Sequence, residues 1–470
     1  MKSNQKINIA ILPLVLLGSE LLAQNPPLAL PSAPKASVSL VASSQPPSRA
    51  IPPPSAAAMG TPTLLTRHEA EQIALANNPR IHISQLIARV QHQVVRERRA
   101  DQLPNLNGSL TAVEANDGSR ISSGSLAASR LLNHAGGGVQ LSQLITDFGR
   151  TSNLVASAKL QEKARQADAE ASREDIVLAT DQVFFAVIEA QETLKVAAQT
   201  VSARQDLTDQ VSALASSKLR SDLDLSFAQV NLSQAKLLQL NAQNDLDAAK
   251  ATLSAVLGYD KLMNFQLVDD DTGPLPPLAS DPETLIAQAI QNRPDLQSLK
   301  FSEQSAQKFS KAQHEQLLPT ISALGVVGDT PTGSSQYFTT TWYGAAGGNI
   351  NIPIFNGFRF SAQASEAALQ AQAASEETRA LQQQVARDVR TAWLNANTAL
   401  QQVTVTSQLT QEANTALDLA KTRYDLGLSS IVELSQAELQ QTEAAISNAN
   451  ARSQYNFAIS TINFQTGVQP

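Results

Sequence analysis

The 470-residue chain contains no cysteine, which excludes structural disulfides, thiolate metal sites and a lipid anchor on an N-terminal cysteine. Aromatic residues make up only 4%, too few large side chains to fill a thick globular core. The formal net charge is −7 and shows no clustered Lys and Arg, so nucleic acid is not an expected partner. Past the N-terminal segment no apolar run is long enough for a transmembrane helix, and any membrane insertion must therefore be by strands. Breakers are scarce in the second half. After Pro353 the next proline is Pro470, and Gly427 is the only glycine between Gly357 and Gly467. With Ala, Gln, Ser and Leu dominant, this reads as long, thin helices packed through small residues.

Catalytic constellations are also missing. The five histidines, His68, His82, His92, His134 and His314, show no ligand spacing such as His-x-x-x-His. Gly136-Gly137-Gly138 opens a strand rather than a helix, so it is not a phosphate loop. Asp269, Asp270 and Asp271 precede a Gly-Pro turn and read as a solvated linker. No enzyme activity, cofactor or metal is expected.

What is present begins with MKSNQKINIAILPLVLLGSELLA (1–23), where Lys2 and Lys6 precede an apolar run that ends in a small residue. This reads as a secretory signal peptide. Pro13 interrupts the run, and its length falls below the roughly 20 residues of a membrane span. Residues 24–63 are rich in Pro, Ala and Ser and read as a flexible extension.

The chain then repeats itself. EAEQIALANNPRI resembles ETLIAQAIQNRPDL, aligning Pro79 with Pro294, and Pro104 aligns with Pro319, so that the two prolines of each copy are 25 residues apart. LSQLITDFGR (141–150) matches INIPIFNGFR (350–359), and TLSAVLG matches TINFQTG, ending at Gly258 and Gly467. Both of these matches hold an offset of 209. The expected organisation is a first repeat over 64–258, a linker over 259–281 and a second repeat over 282–470.

Each repeat reads as helix, strand hairpin, long helix, turn and shorter helix. The opening segments, 64–103 and 282–318, have helical spacing and stop ahead of a proline. Strand hairpins are expected over 105–148 and 319–356, where Val139 and Leu141, and Ile350, Ile352 and Ile354, alternate with polar residues. The loops at 116–135 and 328–341 would be exposed, and Phe338, Trp342 and Tyr343 are candidate girdle residues. In the long helices, Ile176, Thr180, Val183, Val187, Ala190, Leu194, Ala197 and Val201 step by 4 and 3, as do Thr410, Ala413, Leu417, Ala420 and Tyr424. This is a heptad seam. A helix of about 68 residues spans roughly 100 Å, and two shorter helices of about 37–40 residues would lie end to end alongside it. The result is a rod with a strand hairpin at one end and a helical turn at the other.

At that turn, Gly427 fits a left-handed helix stop followed by Leu428. Ser430-Ile-Val-Glu433 reads as a capping box. At an offset of 209, Lys218 stands for Gly427 and Ser221-Asp-Leu-Asp224 for the box.

The duplicated helix-Pro-strand pattern, the LSQLITDFGR and NIPIFNGFR junctions and RYDLGLSSIVELSQAELQQTEA resemble the TolC-like outer-membrane efflux protein family over about Leu64 to Gly467. The resemblance implies a mainly α fold with a membrane β-barrel: a homotrimer closing a twelve-stranded barrel in outer-membrane lipid and an α-helical tunnel in the periplasm. It implies an exit duct of a tripartite efflux or type I secretion system, partnered by a periplasmic adaptor and an inner-membrane transporter. It also implies a gate at the periplasmic tip, with Tyr424 as a constriction tyrosine and Glu433 and Asp224 as acidic residues near the trimer axis. Ser429 and Gln436 stand where the family pattern has an arginine and a second aspartate, which suggests a less acidic gate. Adaptor contact would fall on Gly427, Leu428, Ser430, Lys218 and Ser221. The alternative is a periplasmic coiled-coil adaptor or scaffold without a barrel, which would need one helical hairpin inserted in a small β domain.

Overall fold

The computed structural model describes residues 63–114, 120–121, 129–130, 134–263, 265–268, 275–279, 281–329 and 342–468. The expected signal peptide, nearly all of the Pro-rich extension, Asp269 to Asp271 and Phe338 lie outside the described residues. In chain order the elements are β1 (Thr63–Leu65), α1 (Arg67–Asn77), α2 (Pro79–Ala100), β2 (Asn105–Val113), β3 (Arg120–Ile121), β4 (Ser129–Arg130), β5 (His134–Thr146), α3 (Arg150–Ser216) and α4 (Asp222–Val256). There follow β6 (Phe265–Leu267), α5 (Pro282–Asn292), α6 (Pro294–His314), β7 (Thr320–Asp329), β8 (Trp342–Asn351), α7 (Arg359–Asp425) and α8 (Ile431–Thr466).

The helical segment that opens each repeat is two helices, not one. Asn78 and Arg293 precede proline and take extended ψ angles of 122° and 121°, because the proline ring disfavours helical backbone ahead of it. Pro79 and Pro294 then open α2 and α6 at a position that needs no amide donor. Thr66 and Glu69 close a capping box on α1.

The long helices α3 and α7 have 67 residues each, which is roughly 100 Å of helix. Along α3 lie α2 and α4; α6 sits between α3 and α7, and α8 packs on both α7 and α3. The heptad seam faces inward, with Ile176, Thr180, Val187 and Ala197 buried in the first copy and Ala413, Ala420 and Tyr424 in the second. Thr180, Ala197, Ala413 and Ala420 let the backbones approach closely at their levels of the seam, while Ile176, Val187 and Tyr424 fill it at theirs.

The linker between repeats carries structure that the sequence reading did not anticipate. Thr63, assigned to the extension, opens β1, which pairs in parallel with β6 inside the expected linker. Leu65, Phe265 and Leu267 are buried with Phe184, Phe185 and Leu253 in the core that joins α1, α3 and α4. Farther along, Tyr455 donates to the Pro276 carbonyl at 2.5 Å and Trp393 to the Ala279 carbonyl at 2.7 Å, strapping the linker to α8 and α7.

Strands β2, β5, β7 and β8 form an antiparallel sheet in that order, leaving β2 and β8 as its edges. Pleating sorts the side chains by face. Leu106, Leu110, Val139, Leu141, Val327 and Ile350 share one face, while Asn107, Thr111, Gln140, Ser142, Ser322 and Asn349 share the other. Trp342 and Tyr343 are adjacent on β8 and so cannot form one girdle. Trp342 falls on the apolar face and Tyr343 on the polar one, where its hydroxyl lies over Gly138 and Gly328. Strand β8 stops at Asn351, short of Ile352 and Ile354.

The two strand-to-helix junctions use the same backbone with different residues. Phe148 and Gly149 are left-handed (φ 56° and 113°), as are Gly357 and Phe358 (φ 64° and 63°). Each junction therefore holds one strained phenylalanine and one glycine in swapped order. Asp147 and Asn356, at equivalent positions, accept from the Thr151 and Phe360 amides at 2.7 and 3.5 Å and cap the long helices.

Candidate functional site

Both long helices end the same way at the tip far from the sheet. After α7, Gly427 takes φ 73°, its amide donates to the Tyr424 carbonyl at 2.9 Å, and the Leu428 amide donates to the Arg423 carbonyl at 2.8 Å. This pair of bonds is the Schellman motif. After α3, Lys218 takes φ 58° and repeats the pattern, with Lys218 and Leu219 amides bonded to the Ala215 and Leu214 carbonyls, both at 2.9 Å. The turn needs a left-handed residue, and in the first copy a lysine supplies it under strain.

The caps differ. Ser221 and Asp224 make the full capping box at the start of α4. Ser430 accepts from the Glu433 amide at 3.4 Å, but the Glu433 carboxylate does not reach back as expected. It pairs instead with Arg423 Nε at 3.1 Å, an exposed pair worth at most about 1 kcal/mol. Arg423, ten residues upstream, outcompetes the cap because a guanidinium is a stronger partner for a carboxylate than one neutral amide.

Tyr424 does not face open space. It is 1% exposed and packs among Val211, Ala228, Leu434 and Ala437, joining the tips of both hairpins. This is the outcome its heptad position demands. Burial pushes its phenol above the usual tyrosine range, and its hydroxyl has no hydrogen-bond partner among the described residues. The residue that engages it is Arg220, whose guanidinium sits 4.3 Å from the ring centroid and donates to the Tyr424 carbonyl at 2.8 Å. Arg220 was not singled out from the sequence, although the offset of 209 makes it the counterpart of Ser429. The first copy thus carries a cation at the position where the second copy has Ser429. Ser429 is half-buried, while Glu433, Gln436, Gly427, Leu428, Ser430, Lys218 and Ser221 are exposed and Asp224 is half-buried.

Above the tip a polar seam joins the first hairpin to α8. Thr200 meets Thr442 at 3.3 Å, and Arg204 lies 3.7 Å from Glu438 and donates to the Asn231 carbonyl at 3.2 Å. Asn231 donates to Ser435 at 2.6 Å. Burial pushes the Glu438 carboxyl up, with Arg204 opposing.

Among the described residues no helix is long and apolar enough to cross a membrane, and no group of His, Asp and Glu is arranged to hold a metal. The sequence profile of the Outer membrane efflux protein family matches residues 71–259 and 285–467. The chain belongs to this family. It is 23% identical over 419 residues to the outer membrane protein TolC of Escherichia coli K12, covering 84% of this chain and 80% of that one. It is 26% identical over 355 residues to the outer membrane efflux protein BepC of Brucella suis, covering 73% of each. Its fold matches the Campylobacter jejuni CmeC outer membrane channel with a TM-score of 0.72 at 20% identity, over 85% of each chain. As a member of the outer membrane efflux protein family the chain is a non-enzymatic channel protein of the outer membrane with a helical tunnel, and the adaptor or scaffold alternative falls away.

Proposed function

We propose that three copies of this chain assemble into the exit duct of a tripartite efflux or type I secretion system, gated at the helical tip. The observation that carries the reading is the sheet: β2 and β8 are free edges of a four-stranded sheet with one apolar face. A free edge in lipid leaves backbone groups unsatisfied at several kcal/mol each, in order of magnitude, and pairing β8 of one copy with β2 of the next removes every edge. Three copies give twelve strands. The helices support the same assembly, since Ile83, Leu86 and Val90 on α2 and Leu223, Phe227 and Val230 on α4 form exposed apolar stripes at helical spacing.

Closure at the tip rests on the Arg220–Tyr424 clasp and the polar seam, which hold the α7/α8 hairpin against the α3/α4 hairpin. A periplasmic adaptor docking on the exposed turns at Lys218, Ser221, Gly427, Leu428 and Ser430 would pull these hairpins apart, with energy from an inner-membrane transporter. Glu433 and Asp224 from three copies would make the entrance prefer cations, while Ser429 and Gln436 add no charge. Conductance in planar bilayers tests this, comparing wild type with Glu433→Gln. Reduced cation selectivity and weaker divalent block are expected; channels with unchanged selectivity refute the acidic entrance, and recovery of the protein as a soluble monomer refutes the duct.

A further inference from the structure

Far from the tip, Glu71 on α1 and Asp181 on α3 are 4% and 3% exposed and line a cavity of about 280 Å³ closed on its third side by α8. The cation in contact with both carboxylates is Arg67, with Nη1 3.4 Å from Asp181 Oδ2 and 3.8 Å from Glu71 Oε1. The same nitrogen donates to Ser460 Oγ on α8 at 3.4 Å. Glu71 Oε1 and Asp181 Oδ1 are buried without a donor among the described residues. Two buried carboxylates against one guanidinium leave an unbalanced charge, and the Glu71 and Asp181 side chains, within hydrogen-bonding reach of each other, have one acceptor apiece without a donor. A single proton meets both needs.

We propose that Glu71 and Asp181 share one proton, and that this shared proton fastens α1 to α3 and α8 in a pH-dependent way. The charged and titratable groups around the pair are Arg67 and His68 from α1 and Arg173 and Glu174 from α3; α8 offers the uncharged Ser460 and Asn463. His68 is mostly exposed, with Nδ1 3.5 Å from Glu71 Oε2. Arg293 and Asp295 act on Glu174 rather than on the pair. Burial first, then the Asp181 charge and hydrogen bond, push the Glu71 carboxyl up to about 7, with Arg67 opposing. The second copy is an internal control. Ile286 stands at the place of Glu71 and Arg390 at that of Asp181, and Arg390 pairs with Glu283 at the surface. The same backbone therefore forms without the acids.

The sign follows from linkage. A carboxyl that titrates higher in the closed state than in the opened one favours closure at low pH, and that advantage disappears as pH rises from about 4.5 to about 7. Hydrogen exchange of the α1 amides in the full-length protein in detergent, corrected for intrinsic rates, reads it directly. Protection in α1 is expected to fall by up to about tenfold per pH unit between pH 5 and about 7 and to level off above, while α5 stays flat. Glu71→Gln should flatten the α1 profile, and Glu71→Ile, which copies the second repeat, should do the same if the amide variant fails to fold. Because Glu174 also carries a proton at pH 5, the infrared reading is a difference: the spectrum of wild type minus either variant at pH 5 should show one protonated-carboxyl band, and the same difference at pH 8 should not. A flat wild-type profile, an equal slope in α5, or a slope that survives in the variant would overturn the proposal.

Discussion

Removing the Arg220 guanidinium should loosen the closed tip. The structure assigns it two interactions with α7: a stack on Tyr424 at 4.3 Å and a hydrogen bond to the Tyr424 carbonyl at 2.8 Å. A partly buried cation–π contact contributes roughly 0.5–2 kcal/mol. A charge-assisted hydrogen bond contributes about 1.5–3 kcal/mol, here toward the low end because the Gly427 amide already donates to the same carbonyl. Arg220→Ala should therefore cost the closed tip about 2–4 kcal/mol in each chain, a shift of at least roughly 30-fold toward the open form. Single-channel conductance in planar bilayers should show larger or more frequent openings than wild type. Arg220→Lys should fall between the two, since an ammonium keeps the charge but not the planar stack. Tyr424→Phe should behave as wild type, because the hydroxyl it removes has no partner. Arg220→Ala indistinguishable from wild type, or Tyr424→Phe opening just as far, would refute the clasp.

Other expectations are independent of that contact. Lys218→Gly should relieve the left-handed strain and raise amide protection at Leu219 by about 0.5–1 kcal/mol, whereas Gly427→Ala, with open space around the added Cβ, should lower protection at Leu428 by a similar amount. Burial and then the Asp295 charge push Glu174 up to about 7, so its contribution to stability is present below about 4.5 and lost as pH rises toward 7. Glu174→Gln should raise the Tm relative to wild type at pH 8 and not at pH 5. Leu110→Arg, on the apolar face of β2, should block outer-membrane assembly at a cost of up to about 2–4 kcal/mol, while Asn107→Arg on the polar face should leave trimers detectable by native electrophoresis.

The heptad seam was legible because it is local: one period, repeated in each long helix, places Tyr424 inside on the same grounds as Ala413 and Ala420. The resemblance implied a role at a constriction, and the period accounts for the burial of the ring within the chain. Arg220 was illegible for the opposite reason. Its partner lies 204 residues away, and only the contact between two hairpin tips brings them together. Glu433 misled because Ser-x-x-Glu reads as a capping box whether or not a guanidinium ten residues upstream is brought beside it by the chain reversal. The β1–β6 pair escaped because three residues per strand carry no readable alternation, and their pairing depends on burial against Phe184 and Leu253.

Left-handed residues flank both ends of each long helix: Phe148, Gly149, Gly357 and Phe358 beside the sheet, Lys218 and Gly427 at the tip. The two 67-residue helices between them run without a break. Each is thus a lever with its compliance at its ends. Over a shaft of roughly 100 Å, a tilt of about 6° at the sheet end carries the tip through about 10 Å. Small rotations at the pivots therefore move the tip far, with no residue along the shaft changing its backbone conformation.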